Sequence, residues 1–148
     1  MNNARGFTLI ELMIAVAVIG ILSVIAYASY SAYVKRGYRS EAKSVLLQDA
    51  TILERNFTIA NRYDNTMASG GGTATSGQII AQAPASGTAV YNITVSFGST
   101  PAMDFTLKAT PTGAMANDEC GSFTLDNTGA QKVVGNTGST TAADCWGK

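Results

Sequence analysis

The spacing of apolar and polar positions divides the chain into a long helical start, a loose middle and an alternating end. Residues Leu12 to Val34 are 23 positions without a formal charge, rich in Leu, Ile, Val, Ala and Met, about the ~20 that cross a bilayer as a helix. Beyond them, apolar residues recur at Val34, Tyr38, Val45, Leu46, Ala50, Leu53 and Phe57 with the charges between, which predicts one face of a continuing helix. A single helix from about Thr8 to Ala60 is thereby expected, ~80 Å long at ~1.5 Å per residue. It has a membrane-length half at 7–33 and an amphipathic half at 34–60.

Residues 61–89 turn polar, with Ser69 to Gly72, Thr73 to Gly77 and Pro84 to Gly87, and this composition predicts a flexible loop. Alternation follows in 90–148. Tyr91, Ile93, Val95 and Phe97 fall on one face and Asn92, Thr94 and Ser96 on the other, the period-2 signature of a strand. Phe105, Leu107 and Ala109 repeat it, then Phe123 and Leu125, then 131–134 after the turn signal Asp126-Asn127-Thr128-Gly129. Four short antiparallel strands are expected. Their apolar face and the helix stripe cover each other in a two-layer α+β head.

Glu11 is the one acid at the start of the apolar run. A charge on an isolated helix in lipid costs on the order of 2.5–3.5 kcal/mol, so it is expected to face a partner. A cut between Gly6 and Phe7 supplies one, the new amino group of Phe7. It also places Glu11 in the first helical turns, where the macrodipole favours an acid. In a stack of identical helices, the amine of one copy beside Glu11 of the next cancels two charges and fixes the axial register. An ordinary secretory signal is cut after its apolar run; a cut after Gly6 would precede the run and keep it.

The chain balances ten basic against ten acidic residues. Lys35, Arg36, Arg39, Lys43 and Arg55 crowd the stretch past the apolar run, a basic collar able to hold lipid phosphates. From Asn61 onward, Arg62, Lys108, Lys132 and Lys148 face six acids. A positive flank usually stays cytoplasmic, so retention of the short Arg5-bearing leader inside is expected to set the topology and the head to be translocated. The two cysteines, Cys120 and Cys145, suit an oxidising compartment and a disulfide. Free thiols or half a metal site remain open, although zinc needs further ligands and the chain has no histidine.

No catalytic motif stands out. Without histidine a nucleophile lacks its usual base; Gly70 to Gly72 lacks the spacing of a phosphate loop; Asp118-Glu119 reads as solvated charge rather than an acid–base or calcium pair. No cofactor or metal is expected. Asn56-Phe-Thr58 and Asn92-Ile-Thr94 have the form of glycosylation acceptors but lie in regular structure. Tyr63 is expected to pack rather than to meet a neighbouring subunit, and Trp146 to cover the disulfide.

The run Gly6-Phe7-Thr8-Leu9-Ile10-Glu11-Leu12-Met13, with Val18-Ile19-Gly20-Ile21-Leu22, resembles the class III leader and transmembrane start of type IV prepilins. The stretches Ser40 to Ser44, Leu53 to Phe57 and Asn61 to Tyr63 are similar to the helix end of the PilE-like subgroup. Asp118 to Gly121 with Asp144-Cys145-Trp146 resembles its disulfide-closed tail. The resemblance implies the pilin fold, cleavage after Gly6 by a membrane-embedded prepilin peptidase, N-methylation of Phe7, a role for Glu11 in subunit addition and a Cys120–Cys145 disulfide. It also implies partners: other pilin subunits, an inner-membrane assembly platform and an extension ATPase. The chain is then expected in the bacterial inner membrane with its head periplasmic, and afterwards in a surface pilus serving motility, adhesion or DNA uptake.

Many type IVa pilins carry proline where this chain has Ala28. Alanine is the best helix former and proline costs about 3 kcal/mol in a helix interior, so a continuous N-terminal helix is expected. Two other readings share this N-terminus. A pseudopilin of a type II secretion system is disfavoured by the cysteine pair, and a DNA-receptor minor pilin by the few bases of the head. The PilE-like similarity tilts the reading toward a minor subunit.

Overall fold

The computed structural model describes residues 7–64, 79–98 and 101–147. The leader residues, Gly6 among them, the Ser69–Gly77 part of the expected loop and Lys148 lie outside these ranges. The chain divides into two compact units, 1–35 and 36–148.

Helix α1 (Leu9–Ala60) passes without interruption through Gly20 and Ala28, as expected where alanine replaces a helix breaker. In the first unit its large apolar side chains, from Leu9 to Ile25, are all exposed. This stretch is long and apolar enough to cross a membrane. Ser23 bonds back to the Ile19 carbonyl at 2.8 Å, which satisfies its hydroxyl within the helix.

In the second unit α1 presents Ala42, Val45, Leu46 and Leu53 to the core, with Tyr38, Ala50 and Phe57 packed at its margin. The facing sheet has five strands in the order β1 (Gln82–Ala83), β2 (Tyr91–Ser96), β3 (Thr106–Pro111), β4 (Ser122–Asp126) and β5 (Gln131–Val134), each antiparallel to its neighbour. Four of these correspond to the expected strands; the fifth, β1, falls inside the segment expected to be loop. There Ile79 is buried, and Gln82 and Ala83 pair with Asn92 and Tyr91. Two residues carry no periodicity, so only tertiary pairing reveals them.

Tyr91, Ile93, Leu107, Ala109, Phe123 and Leu125 fill the inner face, and fully burying such a side chain stabilises by roughly 1.5–3 kcal/mol. The β4–β5 turn is organised by Asp126, whose Oδ1 accepts from Thr128 N at 3.0 Å, Thr128 Oγ1 at 2.6 Å and Ala130 N at 3.0 Å. These bonds hold the carboxyl below its ordinary range, and Gly129 supplies the left-handed residue at φ 78°. Tyr63 is buried, stacked on Phe57 at 4.6 Å and edge-on to Phe105 at 4.9 Å between centroids. Burial and its bond to Glu54 push its hydroxyl up to about 12. It packs, as expected.

Candidate assembly site

The N-terminus of α1 carries a reciprocal cap. Thr8 Oγ1 accepts from Glu11 N at 3.3 Å, while Glu11 Oε2 accepts from Thr8 N at 2.9 Å and Thr8 Oγ1 at 2.8 Å. Thr-x-x-Glu is the capping-box arrangement, which satisfies helix-end donors that no carbonyl can reach. Phe7 precedes the cap and is exposed. Phe7 and Glu11 are thus brought to one helix end with Glu11 already oriented by its own chain, a restraint that the Thr8 to Glu11 spacing could have signalled.

At the other end of the chain, Cys120 and Cys145 are joined, with a sequence separation of 25 and Cα atoms 5.8 Å apart. Helix α2 (Ala142–Trp146) carries the second cysteine and starts on a capping box of Thr141 and Asp144. Trp146 is half-buried, edge-on to Phe123 at 5.5 Å, and its Nε1–H donates to the Lys132 carbonyl at 3.1 Å. It packs beside the disulfide rather than standing free.

Asp118 does not read as it did in the sequence. Its side chain is fully buried, whereas that of Glu119 is 62% exposed. The Arg39 guanidinium donates to both Asp118 oxygens, from Nε at 3.0 Å to Oδ2 and from Nη2 at 2.5 Å to Oδ1, and to Glu119 Oε1 at 3.0 Å. Tyr91 Oη donates to Asp118 Oδ2 at 3.3 Å; burial, with the Asp118 charge beside it, pushes the phenol up. Lys43 Nζ donates to the carbonyls of Cys145 at 3.3 Å and Trp146 at 3.1 Å. Arg39 and Lys43 therefore belong to the head, and the expected basic collar loses both. Their partners lie about eighty and one hundred residues away, beyond any local pattern.

Asp49, also on α1, is fully buried. Its Oδ1 accepts the Ile80 N–H at 2.8 Å, and its Oδ2 has no hydrogen-bond partner among the described residues. Burial pushes this carboxyl up to about 6, against an ordinary 3.8. The folded chain thus holds this proton more tightly than the unfolded one, so the contribution of Asp49 to stability falls as pH rises from about 4 to about 6 and is level above. The shift corresponds to at most about 3 kcal/mol, less where solvent screens the carboxylate. Asp49→Asn should flatten that slope in urea titrations of the detergent-solubilised protein, and parallel pH curves for the two proteins would contradict it.

The outer sheet face is polar. Thr94, Lys108, Thr124 and Lys132 lie in one cross-strand row, and Asn92, Ser96, Thr106 and Thr110 surround it.

A sheet folded over the second half of a long helix, an apolar first half, a capped acidic N-terminus and a disulfide-closed tail define a type IV pilin. Residues 28–124 match the family described as type IV minor pilin ComP, DNA uptake sequence receptor, and residues 1–27 match the prokaryotic N-terminal methylation motif. The chain belongs to that type IV minor pilin family. A fimbrial protein of Moraxella nonliquefaciens is 57% identical over 42 residues, 28% of this chain and 27% of that protein. The type IV major pilin protein PilA of Myxococcus xanthus (strain DK1622) is 46% identical over 61 residues, 41% of this chain and 28% of that protein. The chain thus aligns with little more than a quarter of the length of these curated relatives. The non-core minor pilin PilV of Neisseria meningitidis shares the fold, with a TM-score of 0.50 and 20% identity over 72% of this chain and 93% of that one.

Proposed function

We propose that this chain is stored in the inner membrane through the first half of α1, cut between Gly6 and Phe7 by a prepilin peptidase, methylated at Phe7, and assembled with other pilin subunits into a surface filament. An inner-membrane platform and an extension ATPase drive the assembly. The observation that carries this reading is the oriented Glu11. Both bonds from Thr8 fall on Oε2, which leaves Oε1 for the Phe7 amine of a neighbouring copy. Pairing the two removes the cost of a lone carboxylate among apolar helices and sets the axial offset. Glu11→Ala should leave leader cutting intact while lowering incorporation into sheared filaments on the order of tenfold or more, read by quantitative mass spectrometry. Normal incorporation would contradict the register role.

A second reading, DNA reception, is favoured by the family description, a DNA uptake sequence receptor. Lys108 and Lys132 share one row of the outer sheet face with two threonine hydroxyls, and lysine–phosphate contacts make binding salt-dependent. The test is retention of duplex DNA by the purified protein as salt is raised. Retention with a shallower salt slope in Lys108→Ala/Lys132→Ala supports receptor function; no retention at low salt removes it.

A further inference from the structure

Tyr27, Tyr30 and Tyr33 are exposed by 77%, 67% and 73%, and none of their hydroxyls has a hydrogen-bond partner among the described residues. Tyr38, one turn or so further, packs against the head core instead. At three-residue steps the exposed rings are offset by roughly 60° each and fan over about 120° of the helix.

Their height along α1 matters as much as their exposure. From Leu9 to Ala26 there are 18 helical residues, about 27 Å at ~1.5 Å each, close to the ~30 Å of a bilayer's hydrocarbon core. Tyr27 therefore begins where the hydrocarbon ends. The climb to Tyr33 is about 9 Å, comparable with the roughly 5–8 Å of one headgroup layer. Lys35 and Arg36 follow in sequence. Tyrosine suits this layer because its ring is apolar and its hydroxyl needs a wet partner.

We propose that Tyr27, Tyr30 and Tyr33 form an interfacial belt that seats α1 among the phospholipid headgroups of the periplasmic leaflet and fixes how deeply the subunit is held before assembly. The belt rests on the membrane-storage reading above. An aromatic ring at the headgroup boundary resists motion both ways, since moving inward buries the hydroxyl and moving outward exposes the ring.

The test uses the full chain, with Trp146→Phe to remove the native indole, in vesicles of phosphatidylethanolamine and phosphatidylglycerol. A single indole is placed by Val16→Trp near the midplane or by Tyr30→Trp in the belt, and bromine is carried at shallow or deep positions of the acyl chains. The deep label should quench the Val16→Trp protein, and the shallow label should quench the Tyr30→Trp protein on the order of twofold more than the deep one. In the Val16→Trp protein, adding Tyr27→Ser, Tyr30→Ser and Tyr33→Ser should shift the ratio of shallow to deep quenching. An unchanged ratio, or belt and midplane indoles quenched alike, overturns the belt while leaving storage in the membrane intact. Tyr30→Trp quenched by neither label while Val16→Trp is quenched also overturns it, and places the rings against other helices or water. Absence of quenching at both positions overturns membrane storage and the belt together.

Discussion

Arg39→Ala is expected to cost about 3–5 kcal/mol of folding stability, because it leaves the Asp118 carboxylate buried without its cation. Asp118 is fully buried and receives guanidinium bonds on both oxygens from Arg39; its other side-chain donor among the described residues is the Tyr91 hydroxyl at 3.3 Å, too little to replace a full charge. Urea unfolding of the detergent-solubilised protein, followed by Trp146 fluorescence, gives the measurement. A loss below about 1 kcal/mol, the size of a surface ion pair, would show that water reaches Asp118 once the arginine is gone. Replacing both partners, as Arg39→Met with Asp118→Leu, should recover much of the loss, since the large cost belongs to the orphaned charge.

Cys120→Ser with Cys145→Ser is expected to cost roughly 3–4 kcal/mol, the chain-entropy value for a closed loop of this size, measured by the same unfolding titration. The folded corner should nevertheless persist. Lys43 still holds the carbonyls of Cys145 and Trp146, Arg39 still holds Asp118 and Glu119, and the indole still donates to Lys132. Trp146 emission in the native variant should therefore match that of the parent. A red-shifted native emission would mean that the disulfide alone keeps α2 on the sheet. Combining this change with Arg39→Ala should deviate from additivity, because both act on the segment around residues 118–120.

Most of the architecture was legible along the chain because it depends on short-range periodicity. The stripe Val45, Leu46 and Leu53, the alternation of Tyr91, Ile93 and Val95, and the Asp126 to Gly129 turn each announce their element within a few residues. The apolar start of α1 was legible for the same reason, and Glu11 stands out there as its one acid. What escaped depends on distant partners. Asp118 reads as solvated beside Glu119 until Arg39 approaches from α1; Asp49 reads as an ordinary polar position until the Ile80 amide closes over it; and β1 is too short to have a pattern. The polar residues on the buried side of α1, Arg39, Asp49 and Asn56, blur the very stripe that marks the helix.

The borders of the sheet bear on a hazard of any protein packed at high local concentration. An exposed strand edge is a template for pairing with another chain, and such pairing leads to aggregation. Here β1 is two residues long and is followed by Pro84, which has no amide proton to donate. The opposite border, β5, has four residues; α2 lies against it, and the Trp146 indole occupies one of its carbonyls. Among the described residues neither border strand is long and bare, so heads crowded side by side can touch through side chains without zipping into a shared sheet.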